Sequence, residues 1–179
     1  DSLGMVVILG YFYFGQDQRL KEEKAVIEAV DNLTEWILSQ GYQNILVEID
    51  NECDVNYSHE ILQPDRVHEL IQRVQELSGG KLLTSVSYGG GSIPGNKVLE
   101  TADFLLVHGN GVEEPDRIEN MVKTIKEKNT YKGQPLVFNE DDHFDFDKDW
   151  NNFTAALKNG ASWGYFDPGE NNYRDGYQS

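Results

Sequence analysis

The chain has 179 residues, 39% hydrophobic and 26% charged, enough for a single domain spanning 1–179 with a core of its own. A formal charge of -16 with no basic patch excludes nucleic acid and anionic membrane surfaces as partners, because a polyanion would be repelled. No apolar run reaches the ~18 residues of a membrane-spanning helix, and one cysteine, Cys53, rules out an intrachain disulfide.

Neutral ligands stay open, and nine tyrosines and three tryptophans offer flat apolar faces that suit carbohydrate. Residues 1–10 lack the basic region and cleavage site of a signal peptide and read as the interior of a domain. The apolar residues from Met5 to Phe14 predict a strand whose far end carries Tyr11, Tyr13 and Gln16. From about Gln18 to Ser39, Val26, Ala29, Val30, Leu33, Trp36 and Ile37 recur at helical spacing, and Gly41 ends the helix. Ile45 to Asp50 is a second strand, apolar enough to be covered on both faces, and it runs into Asn51-Glu52. A polar loop follows, then a helix opened by Pro64 with Val67, Leu70, Ile71, Val74 and Leu77 inward.

Lys81 to Tyr88 is a third strand, followed by three glycines and a short helix over Asn96 to Thr101. The fourth strand, Phe104 to His108, ends in polar groups including Asn110. A helix over Pro115 to Lys128 leads to a fifth strand, Leu136 to Asn139, which ends in a second Asn-Glu pair, Asn139-Glu140. A helix from about Lys148 to Lys158 and a sixth strand, Trp163 to Phe166, complete the pattern. Strict strand-helix alternation predicts a parallel sheet. The first strand ends in aromatic residues where a dinucleotide fold needs a glycine-rich turn. Polar groups at the carboxyl end of every strand favour the mouth of a (β/α) barrel.

These residues resemble clan A of the glycoside hydrolases, eight-stranded (β/α) barrels in which Asn-Glu closes the fourth strand and Glu the seventh. Asn51-Glu52 matches the first motif and Glu140 the second, with two strands between them as the family requires. The resemblance implies a parallel TIM-type barrel, incomplete, of about six βα units corresponding to strands three to eight. It also implies a hydrolase of β-linked glycans with a retaining mechanism. Glu52 would be the acid/base, Glu140 the nucleophile and Asn51 the holder of the sugar 2-hydroxyl. Tyr11, Tyr13, Tyr88, His108, Asn110, Asn139, Trp163 and Phe166 would wall the pocket. The partner is then an oligo- or polysaccharide, no cofactor or metal is needed, and the setting is secreted or periplasmic. The family often places a tyrosine against the nucleophile after strand six; His108-Gly109-Asn110 has none, and Tyr88 is the substitute within reach.

The other readings are plainer. A non-catalytic carbohydrate-binding protein, or an inactive piece of such a barrel, would keep the same rim. Glu52 taken alone is a solvated loop carboxylate, and Glu48, mid-strand in an apolar run, reads as a structural member of a buried network. Cys53 reads as a small buried hydrophobe before it reads as a nucleophile. Gly90 to Lys97 misses a phosphate loop, since Asn96 separates Gly95 from Lys97 and Pro94 removes an amide donor. The cluster Asp141, Asp142, Asp145, Asp147 and Asp149 lacks the spacing of a calcium loop. Asp141, Asp142 and His143 remain the metal-dependent alternative, and Asp147 or Asp149 would cap the following helix.

Overall fold

The computed structural model describes residues 3–167. Its strands are β1 (Val7–Tyr13), β2 (Ile45–Asn51), β3 (Thr84–Ser85), β4 (Leu105–His108), β5 (Leu136–Glu140) and β6 (Ser162–Trp163). Between them run α1 (Glu23–Gln40), α2 (His68–Ser78), α3 (Asn96–Thr101), α4 (Pro115–Glu127) and α5 (Asn152–Lys158). All ladders are parallel, as a chain alternating strand and helix must make them.

The expected barrel is not formed. The strands make two separate three-stranded sheets, β1-β2-β3 and β4-β5-β6, and six strands are too few to close the eight-stranded form. At the seam, Thr84 O accepts the Asp103 amide at 3.0 Å, but the Thr84 amide turns to Asp103 Oδ2 at 2.8 Å. A side chain therefore takes the donor that a β3–β4 ladder would use. β3 and β6 shrink to two residues each, and β1 keeps an exposed flank with Val7 and Ile8 open to solvent. The fold is α/β, two parallel sheets abutting over one core.

That core is continuous across both sheets. Val26, Val30 and Ile37 of α1, Leu70, Ile71 and Val74 of α2, and Ile118, Val122 and Ile125 of α4 pack with Val47, Ile49, Leu105, Val107 and Phe138 from the strands. α1 starts later than its periodicity suggests, because Asp17–Arg19 forms a separate 3-10 turn. The buried Asp17 carboxylate accepts the Ser58 and His59 amides at 2.7 and 2.9 Å, which ties this turn to the loop after β2. Arg73 of α2 pairs with Asp31 of α1, and Arg66, just before α2, pairs with Glu23 of α1.

α5 also starts late. Its cap is Asn151, whose side chain accepts the Thr154 amide at 2.9 Å while Thr154 Oγ1 accepts the Asn151 amide at 3.0 Å. Asn151 also donates to Lys148 O at 2.9 Å, so one buried amide closes both the helix and the loop before it. Asn151→Ala is expected to lower the free energy of unfolding by about 1–2 kcal/mol, read from the midpoint of urea denaturation. No helix among the described residues is long and apolar enough to cross a membrane.

Candidate functional site

The carboxyl ends of β2, β4 and β5 meet at one imidazole. His108, fully buried, shares a hydrogen bond of 2.9 Å between its Nδ1 and Glu52 Oε1, and the same nitrogen lies 3.9 Å from Glu140 Oε2. The nearest oxygens of the two glutamates are therefore no farther apart than those two lengths laid end to end. Asn110 donates its amide to Glu140 Oε2 at 3.1 Å. This is the contact the resemblance assigns to a tyrosine, here made by an amide from the turn after β4.

Local backbone features account for the convergence. The β4–β5 register slips between Val107 and His108, so Val107 faces Phe138 while His108 faces Glu140. Asn139 is the extra residue of this bulge, which re-aims the strand end toward the site. Glu52 has left β2 and sits at φ 54°, a left-handed conformation that a non-glycine residue adopts only when its surroundings hold it. Ser87 does the holding: its hydroxyl accepts the Glu52 amide at 2.9 Å and its carbonyl accepts the Cys53 amide at 3.0 Å. The Tyr57 hydroxyl donates to Asn51 O at 2.8 Å and fixes the residue before the turn.

A cavity of about 460 Å³ opens in front of Glu140, lined by Tyr13, Gln16 and Phe166. Tyr13 lies close enough to both glutamates that, after burial, their charges raise its hydroxyl pKa. Behind Glu140, the buried Asp141 accepts from Trp163 Nε1 at 2.8 Å, Asn152 Nδ2 at 3.1 Å and the His143 amide at 2.9 Å. Gly109 is needed here, since a Cβ at that position would collide with the Asp141 side chain.

The expected site residues separate into two groups. Glu52, Glu140, Asn51, Tyr13, His108, Asn110 and Phe166 come together at the strand ends. Tyr11 does not join them: its hydroxyl is 3.1 Å from Thr34 Oγ1 on α1, in the helix-facing layer. The buried Tyr88 hydroxyl accepts the Gly95 amide at 3.2 Å and lies beside Cys53, so it does not replace the missing tyrosine. Trp163 packs edge-on against Phe146 and Phe153, with its N–H committed to Asp141. Asp141, Asp142 and His143 bring ligand-type atoms within 4.8 Å of one another. Several of their polar atoms also serve protein groups: Asp142 Oδ1 takes the Gly111 amide at 2.8 Å and contacts His143 Nδ1 at 2.6 Å. The trio braces the loop after β5.

Electrostatics set the protonation of the cluster. Burial works to strip the proton from His108, but the Glu52 hydrogen bond and the charges of Glu140, Glu52 and Glu48 outweigh it, and its pKa is raised. Glu48, 7% exposed, is pushed up to about 7 by burial, aided by the charges of Glu140 and Glu52. Asp50 is fully buried with both carboxylate oxygens unpartnered, and burial followed by the charge of Glu48 raises it well above the usual carboxylate range. Cys53 is also buried, and desolvation raises its thiol pKa, so it is no nucleophile. A thiol reagent such as DTNB is expected to label Cys53 only on unfolding; rapid labelling of the native chain would contradict this placement.

No protein family matched the chain in a scan against family models, and a search of curated proteins found no match.

Proposed function

We propose that the chain is a glycoside hydrolase acting on β-linked glycans, with Glu52 as acid/base and Glu140 as nucleophile. The observation that carries this reading is the single imidazole between the two glutamates, His108, which makes neighbours of carboxylates 88 positions apart in sequence. Retaining pairs stand about 5–5.5 Å apart and inverting pairs about 6.5–9.5 Å. The path through His108 bounds only the nearest oxygens of the pair and is compatible with either range, so the stereochemistry of the first product decides between them.

The two glutamates sit in different surroundings, as two roles require. Glu52 shares a proton with His108, a source for protonating the leaving oxygen and a place to return the proton taken from water. Glu140 receives only the Asn110 amide as a direct hydrogen-bond donor among the described residues, which leaves an oxygen for the anomeric carbon. Tyr13 and Phe166 provide apolar faces at the cavity, and Gln16 a polar contact for sugar hydroxyls. The second reading, a carbohydrate-binding protein without turnover, uses the same walls.

Products from a panel of β-linked oligosaccharides, followed by proton NMR, separate these readings. The proposed function predicts cleavage with a β-anomer as the first product. An α-anomer first would point to inversion, and saturable binding without cleavage would leave only the binding reading.

A further inference from the structure

Glu48 lies two turns of the pleat behind Glu52 on β2, opposite Gly10 of β1 and Ser85 of β3 in the ladders. Its position is unusual for a carboxyl. It is buried mid-strand between Val47 and Ile49, its Oε1 has no hydrogen-bond partner, and its Oε2 lies beside Gly10 of β1.

The same side chain is wired to the site. The Ser87 hydroxyl that holds the Glu52 amide also faces Glu48. From β4 His108 acts on it, from β5 Glu140, and from its own strand Asp50 and, past the strand end, Glu52. The Tyr57 phenol, from the loop after β2, feels its charge as well. Of the ionisable groups acting most strongly on Glu48, only His108 can be positive. His108 has a buried Nε2 without a partner, so both groups keep an unspent polar atom inside the protein.

We propose that Glu48 is a positioning residue of this site, a buried carboxyl behind the Glu52–His108 pair whose charge sets the pH at which His108 gives up the proton it shares with Glu52. The inference deepens the proposed glycosidase and rests on that reading for its catalytic meaning. While Glu48 is neutral, His108 answers to Glu52 and Glu140. Once Glu48 ionises, a third negative charge holds the imidazolium proton, and the pair stays protonated to higher pH. The burial that raises Glu48 to about 7 places this change near neutrality.

The test is Glu48→Gln, which keeps the shape and removes the charge. The His108 ring nitrogens, followed by ¹⁵N NMR, should titrate about one pH unit lower than in the parent chain. The alkaline limb of kcat/KM on a β-glycoside should move down by the same amount, with little change on the acid plateau. A filler of space would move neither. An unchanged His108 titration overturns the proposal, whether or not the chain turns over substrate. If the His108 shift appears in a chain without glycosidase activity, the proposed function fails and the coupling stands. A second measurement needs no substitution: the Glu48 side-chain carboxyl carbon in the parent chain should titrate near neutrality, and titration in the ordinary glutamate range would refute proton retention.

Discussion

Glu140→Gln is expected to lower turnover of a β-linked glycan on the order of 10⁴-fold or more while leaving ligand affinity within a few-fold of the parent chain. The amide has nearly the shape of the carboxylate and can still meet the Asn110 side chain, but it has no anionic oxygen to attack an anomeric carbon. Glu52→Gln should act differently, with a loss of about 10²–10⁴-fold on glycans and much less on substrates whose leaving group needs no proton. The pair of variants separates the two roles. Equal losses on activated and unactivated substrates would argue against Glu52 as the acid, and full activity in Glu140→Gln would remove it as the nucleophile.

Stability should fall as the pH rises from about 5 to about 8, and the effect should be large for a chain of this size. Glu48, Asp50, Asp141 and His108 all have raised pKa values in the native state. Each therefore binds its proton more tightly folded than unfolded. For the three carboxyls, stability is full below the unfolded value near pH 4 and drains until the native value is passed. For His108 the loss begins near its unfolded value of about 6.5 and continues upward. Glu48, going from 4.5 to about 7, contributes on the order of 3 kcal/mol across its window. Glu69, lowered by its bond to Arg66, has the opposite sign, but it is only half-buried, so solvent screens it, and it acts only at acid pH. The net negative charge also weakens the fold as pH rises, and salt screens that part more than the buried part. Thermal midpoints measured across this range in moderate salt should fall, and Glu48→Gln and Asp50→Asn should flatten the curve. A midpoint that climbs toward pH 8 would contradict the protonation described for the cluster.

The strand-helix alternation was legible because buried parallel strands and amphipathic helices leave different periodicities. α3 follows its expected bounds, Asn96–Thr101, and β2 and β5 end at the two Asn-Glu pairs as read. The closed or partial barrel was not there to be read. Polar residues at strand ends mark a mouth in any parallel sheet, whereas the break at Thr84 depends on which partner Asp103 chooses. Amphipathic patterns also overcounted the core: Trp36 and Leu77 fall on the inward stripes of their helices yet are exposed.

The site divides along the same line. Glu52 and Glu140 carried a motif, and His108 and Asn110 lay at a strand end, so all four could be named from residue type and position. Tyr11 shares β1 with Tyr13, which suggested the same rim, but its hydroxyl meets Thr34 on α1 instead. Ser87 escaped notice, although alternating serines at the end of the third strand, Ser85 and Ser87, were its signal. Glu48 was read as part of a buried network, and its environment agrees, but only the fold shows that the network is the one behind His108. A bulge at Val107–His108 has no signature in single residue types, so the aim of the imidazole had to come from the register.

The most direct test of the paired-glutamate site is covalent labelling with a 2-deoxy-2-fluoro-β-glycoside, followed by peptide mapping. With a leaving group that needs no proton, the two-glutamate account predicts one glycosyl group per chain, carried on Glu140, still formed in Glu52→Gln and absent in Glu140→Gln. A label on another residue, or none with a sugar that the chain demonstrably binds, would contradict it.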